Sequence, residues 1–238
     1  MQIEERIFQR KRWKTDAMLH FGFRQENDRY VYETDLLEGD FAAIVIVDRE
    51  GKVQGTVIDR MNNEEYLQLR MERFDGAYVN TVRNAYETVL KAIAEACCRP
   101  VLFASDQANR ITGQIRSRYG VAPDFPWGQD PYDNAGVFRH TDTQKWFALV
   151  MNIPTKTLLK NNDATPIDVV NLKIDPNDGE SLRSRTGIYP AYHMNHKSWI
   201  TVMLNDTLSD ADVLELIDSS FRLTQAKPNK NRQRKEPK

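Results

Sequence analysis

The chain has 238 residues, 40% of them hydrophobic and 28% charged, with 33 basic side chains against 34 acidic ones. This is enough for one large domain or two small ones with a buried core, and 10% aromatic residues exclude a wholly disordered chain. The longest purely apolar run, Phe41–Val47, is far short of the ~20 residues of a membrane helix. The opening MQIEERIFQRKRWK lacks the apolar stretch of a secretory signal, and the adjacent Cys97 and Cys98 make a poor disulfide framework. The expected setting is therefore soluble and cytoplasmic, with no membrane partner.

Charge is unevenly spread. Residues 1–100 carry 15 basic and 18 acidic side chains, residues 101–226 carry 12 and 15, and residues 227–238 carry 6 and 1. Two mildly acidic blocks bear a basic tail, a poor overall footprint for life on nucleic acid.

Polar helical sequence leads to Phe21-Gly22-Phe23, after which strands are predicted at Tyr30–Leu36, Phe41–Asp48 and Val53–Asp59. Their short connections place Gly39 and Gly51 where a positive φ is cheap. Both alternation sets of Phe41–Asp48 are apolar, which predicts a central strand covered on both faces. Met61–Arg73 reads as a short polar helix. Tyr78–Cys97 reads as a longer one, with Val79, Val82, Tyr86, Val89, Ile93 and Cys97 on one stripe. Arg99-Pro100 ends it.

In the second half Ser105 caps a predicted helix carrying Ala108, Ile111, Ile115 and Tyr119, with Gly120 as its left-handed stop. Strands follow at Val137–Thr141, Lys145–Asn152, Ile167–Ile174 and Trp199–Leu204. Asp178 is expected to cap a short helix running through Arg185 and stopping at Gly187. Ser209-x-x-Asp212 opens the last helix, with Val213, Leu214, Ile217 and Phe221 as its buried face. Residues 226–238, polar and basic with two prolines, are expected to be a disordered tail. The predicted fold class is α+β: two small two-layer domains of antiparallel sheet plus helix, residues 1–100 and 101–225. The shared order of helix, aromatic-Gly step and strands raises a diverged tandem repeat as an alternative.

The second half resembles a known family. Phe125-Pro126-Trp127-Gly128, Val137-Phe138-Arg139-His140, Lys145-Trp146-Phe147-Ala148 and above all Gly187-Ile188-Tyr189-Pro190-Ala191-Tyr192-His193-Met194-Asn195, continuing through Lys197 and Trp199–Val202, resemble the MmcQ/YjbR family. Leu204-Asn205-Asp206 and Ser219–Leu223 fit it too. The resemblance spans roughly residues 101–225. It implies a CyaY-like, secretion-chaperone-like α+β domain described as a DNA-binding "double wing", and residues 1–100 look like the extension of longer members. That DNA label rests on analogy of fold.

The residues add their own candidates. Ser181–Asn205 contains no Asp or Glu yet holds Arg183, Arg185, His193, His196 and Lys197 among Tyr189, Tyr192 and Trp199. Cations hold phosphates and flat rings stack on unpaired bases; Asn195 can read a base edge or fix the loop. Against this stands a plain structural role: core and turn aromatics with a solvated arginine face. His193-x-x-His196 is an incomplete zinc set. Asp124, Asp130 and Asp133 lack calcium-loop spacing and suit a turn. The tail suits either attraction to any polyanion or a solubilising end. No cofactor or catalytic motif is present, and the two cysteines read as core thiols. The expectation is a non-catalytic protein binding DNA weakly and without sequence preference through Arg183, Arg185, His193, Asn195, His196, Lys197 and Trp199, with no metal or cofactor. The alternative is a module of secretion-chaperone-like fold that binds a protein partner or small ligand.

Overall fold

Residues 2–71, 73–127 and 135–226 are described by the computed structural model of the protein. The basic tail Lys227–Lys238 and two of the acidic-loop residues, Asp130 and Asp133, lie outside them. The chain divides between Val101 and Leu102 into two units.

The first unit runs α1 (Ile3–Phe8), β1 (Lys11–Trp13), α2 (Thr15–Phe21), β2 (Arg24–Glu26), β3 (Arg29–Leu36), β4 (Phe41–Asp48), β5 (Val53–Asp59), β6 (Glu64–Glu65), α3 (Ala77–Cys97) and β7 (Cys98–Pro100). Strands β2 to β6 form one antiparallel sheet in chain order, and β1 pairs with β7 as a separate ribbon. The central β4 places Phe41, Ala43, Val45 and Val47 in one core with Val82, Tyr86, Leu90 and Ile93 of α3. Burying such side chains stabilises by about 1.5–3 kcal/mol each. On the other face Ala42 is buried, but Ile44 and Ile46 are only half-buried. The expectation of a strand closed on both faces therefore fails there: Ile44 lies between Glu33 and Thr56, polar neighbours that border solvent.

The helix expected over Met61–Arg73 is absent. Asp59 and Asn62 side chains accept the amides of Met61 and Glu64, and Asn63 takes φ 60°. These local bonds compete with helix formation. The segment becomes a turn, the two-residue β6 and a 3-10 turn at Leu67–Arg70.

One ionic cluster is buried under this sheet. Glu4 accepts from the Tyr86 hydroxyl at 2.5 Å and from Arg70 at 3.0 and 3.2 Å; Arg70 also donates to the Gly55 carbonyl. Gly55 has no alternative here, because a Cβ at that position would lie 1.6 Å from the Tyr86 oxygen. Burial alone would raise the Glu4 pKa, but the hydrogen bonds from Arg70 and Tyr86 outweigh it and hold the carboxyl below its ordinary value.

The second unit contains α4 (Asp106–Tyr119), β8 (Gly136–Arg139), β9 (Trp146–Pro154), α5 (Lys156–Leu159), β10 (Pro166–Lys173), α6 (Gly179–Arg183), β11 (Ile188–Pro190), β12 (Trp199–Met203) and α7 (Asp210–Thr224). Ser105 and Ser209 cap α4 and α7 through the amides of Ala108 and Asp212, and Gly120 ends α4 at φ 69°. The sheet is antiparallel in the order β11-β12-β10-β9-β8. One face packs on α4 and α7 through Ala148, Val150, Val170, Leu172, Ile200 and Val202. The other face carries Val137, Leu149, Met151, Ile153 and Val169, covered in part by Leu158, Tyr192 and Met194. The Asp178 side chain caps nothing; Asp175 instead accepts the Asn177 amide and caps a 3-10 turn at Pro176–Asp178. Its position ahead of Pro176 favours that turn. The two sheets differ in strand order, a plain meander in the first and a displaced β11 at the edge of the second.

Glu4→Gln should destabilise the first unit at neutral pH by on the order of 1–3 kcal/mol, since a buried charged acceptor is lost. A native pKa below the unfolded one gives stability that is fully present above the unfolded value, near 4.5, and lost as pH falls through the native pKa. The gap between Glu4→Gln and wild type in urea unfolding is therefore expected to shrink on acidification. A gap independent of pH contradicts this assignment.

Candidate nucleic-acid interface

The signature segment Gly187–Val202 makes a strand, a return loop and a second strand. Gly187 takes φ 89° where α6 gives way to β11, and Ile188 enters the helix-side core. Beyond Pro190 the loop folds back over the far side of the sheet, held by three bonds. The Tyr192 amide donates to Thr201 Oγ1 at 2.8 Å, Thr201 Oγ1 donates to Asn171 Oδ1 at 2.5 Å, and Asn171 Nδ2 donates to the Tyr192 carbonyl at 2.7 Å. Asn171 and Thr201 are fully buried. This ring satisfies polar groups that would otherwise be costly under the sheet and seats Tyr192 and Met194 on the apolar face.

What remains outside is the rest of the loop. His193, at φ 56°, turns its exposed ring against Tyr192, with centroids 3.9 Å apart. Asn195 closes the turn: its Oδ1 accepts the Lys197 amide at 2.8 Å and its carbonyl accepts the Ser198 amide. Of the two expected roles for Asn195, the side chain performs the loop-fixing one. His196 and Lys197 are exposed at the turn. Arg183, at the end of α6, reaches across to donate to the His196 carbonyl at 3.0 Å. Trp199 is half-buried at the start of β12, opposite Lys173 in register, whose ammonium lies 5.4 Å from the ring centroid.

Arg183, His193, His196, Lys197 and Trp199 are thus gathered by α6, one loop and one strand end. Arg185 is directed elsewhere: it pairs with Asp212 in the first turn of α7 at 2.7 Å, so its charge is compensated. The acid-free span in sequence is not acid-free in space, because Asp212 returns to it and Asp175, Asp178 and Glu180 lie on the adjoining turn and helix. Sequence reasoning missed Lys173. Only the β10–β12 register brings it to Trp199, and nothing in the local sequence signals that pairing.

His193 and His196 are joined by no third metal ligand: among the described residues no group of three His, Cys, Asp or Glu side chains could hold an ion. Burial raises the Cys98 thiol pKa to about 12 and pushes Cys97 up as well, the condition of core thiols. The other signature residues also have structural partners. Phe125 packs on Phe103, Trp127 meets Trp146 edge-on at 5.7 Å, and Arg139 covers Trp146. His140 is buried between Phe147 and Phe221 with Nε2 2.7 Å from Thr224 Oγ1, and burial lowers its pKa. Asp206 pairs with Arg110 and its amide donates to Gln107. A cleft of about 260 Å³ lies beside His140, lined by Tyr119, His140, Asp142 and Phe221 among others. No helix among the described residues is long and apolar enough to cross a membrane.

An antiparallel five-stranded sheet with two capped helices on one face and a pinned return loop on the other defines the second unit as a two-layer α+β domain. The YjbR family model matches residues 116–223. The chain is 38% identical over 115 residues to the uncharacterized protein YyaQ of Bacillus subtilis (strain 168), covering 48% of this chain and 94% of that protein. It is 34% identical over 77 residues to the uncharacterized protein YbdF of Escherichia coli O157:H7, covering 31% and 62%. A crystal structure of a Pseudomonas syringae protein is 42% identical, with a TM-score of 0.46, covering 49% of this chain and 97% of that one. The chain belongs to the YjbR family, and its first hundred residues lie outside the family match.

Thr201→Val should leave the Tyr192 amide and Asn171 Oδ1 unpartnered in a buried setting. The expected cost is about 1–3 kcal/mol, with faster amide exchange at Tyr192 and through 193–198. Wild-type exchange across the loop in this variant would show that the ring of bonds does not hold it.

Proposed function

We propose that the YjbR domain is a non-catalytic module that contacts nucleic acid weakly and without sequence readout, through the loop 193–198 and the end of α6. The observation that carries this reading is the bond from Arg183 to the His196 carbonyl. It draws an arginine to the turn that exposes His196 and Lys197, next to the Lys173–Trp199 pair. Phosphates are held by such cations at modest, salt-dependent affinity, and a half-buried indole at the rim offers a face on which an unpaired base can stack. Arg185 and Asn195 leave the contact set, one neutralised by Asp212 and the other spent on the turn. Lys173 joins it.

Anisotropy of a labelled short single strand, titrated with the full-length protein at low and high salt, tests the reading. Lys197→Ala should lower the slope of log affinity against log salt by about one. Arg185→Ala should leave the slope unchanged, because Asp212 already answers that charge. Equal slopes for wild type and Lys197→Ala, or no binding at low salt, would overturn it. A protein or metabolite retained by the same preparation in place of nucleic acid would favour a binding module of the other class.

A further inference from the structure

The most concentrated positive charge among the described residues is in the first unit, on the ribbon of β1 and β7. Arg10-Lys11-Arg12-Trp13-Lys14 has four cations in five residues, and the facing strand adds Arg99. The ribbon pairs Trp13 with Cys98, Arg12 with Arg99 and Lys11 with Pro100. Directly opposed residues project to the same side, and the ladder extends at both ends through Lys14 N to Cys97 O and Val101 N to Arg10 O.

The inner side of the ribbon is settled by Trp13. Its ring stacks on Phe8 at 5.0 Å and its indole N–H donates to the Gly51 carbonyl at 3.0 Å, while Cys98 beside it is buried. Arg12 and Arg99 therefore share the opposite, outward side. Lys14, extended and exposed, has the same parity as Arg12 and continues that row. Arg12 spends one guanidinium nitrogen on the Lys11 carbonyl. Neither residues 10–14 nor residues 98–101 include an acid; Glu5, Asp16 and Glu95 lie outside the ribbon. Among the described residues Lys11, Lys14 and Arg99 form no ion pair.

Arg12 is half-buried and bonded, so the exposed cations on this side are Lys14 and Arg99. Alternate residues on one strand are about 6.8 Å apart, twice the ~3.4 Å axial spacing of phosphates along one strand of a duplex, and a two-stranded ribbon is narrow enough to enter the major groove. The aromatic side chain of the ribbon, Trp13, is turned inward and is not offered to a lipid surface. We infer that the β1–β7 ribbon is a second polyanion-binding surface, fitted to a nucleic-acid backbone, with Lys14 and Arg99 contacting phosphates. This inference stands independently of the loop 193–198.

The test uses the full-length protein carrying Lys14→Ser and Arg99→Ser together, with a short labelled duplex, a labelled single strand and phosphatidylserine vesicles as probes. The double variant should lower the salt slope for the oligonucleotides by about two, weaken binding severalfold at low salt, and melt no earlier than wild type. An unchanged slope with wild-type affinity overturns the inference. So does retained binding with new aggregation, which would assign the charges to protecting a strand edge, and so does loss of vesicle binding alone. Because Lys197→Ala probes the other unit, a slope that responds to that variant only removes the ribbon and keeps the loop; the reverse removes the loop and keeps the ribbon.

Discussion

The Thr201 hydroxyl is the point on which the second unit turns. It accepts the Tyr192 amide and donates to Asn171 Oδ1, two bonds at a site with no access to water. Those bonds fix Tyr192 over the sheet, and the apolar contacts of Tyr192 and Met194 complete the seat of the return loop. The placement of His193, His196 and Lys197 follows from the same constraint. Each is outside because its neighbours are held inside. The family signature is thus mainly a recipe for the loop, and the exposed residues within it are what the loop presents.

Charge is handled in two opposite ways in this protein. Glu4 and Arg70 are drawn into the first unit and fully bonded, with Tyr86 and the Gly55 carbonyl completing the set. Such a cluster fixes α1 against the sheet and is strongly felt when one partner is removed. Lys14 and Arg99 of the β1–β7 ribbon are instead exposed on its outward side and form no ion pair among the described residues. A net charge of −1 conceals both. Local arrangement decides what a surface attracts.

Much of the fold was legible because local rules and tertiary packing agree. Phe41–Asp48 and Val53–Asp59 are strands with the bounds their apolar runs give, and Ser105, Gly120 and Ser209 act where capping chemistry places them. What was not legible depended on partners far away in sequence. The strands β1 and β7 are three residues each and form only because they find one another. The span Met61–Arg73 has helix-compatible composition, but Asp59 and Asn62 offer its amides nearer partners. In the candidate interface the acid-free run from Ser181 to Asn205 is plain to see, yet the answer of Asp212 to Arg185 and the approach of Lys173 to Trp199 arise from tertiary pairing alone. The run Arg10–Lys14 was open to recognition as a basic cluster; only the register of Arg12 with Arg99 shows which side of the ribbon it occupies.

The central claim is that two small outward-facing sets of cations, in a chain of nearly balanced charge, are where a polyanion settles. Residue-resolved NMR of the isotope-labelled full-length protein, titrated with a short oligonucleotide at low salt, addresses it most directly. Shifts are expected at Arg183 and residues 193–199 and at residues 11–14 with Arg99, fading as salt is added. Shifts confined to the mixed-charge cleft at Glu26, Asp28, Arg29, Asp48, Arg49 and Glu50, or spread evenly over both units, would contradict the account.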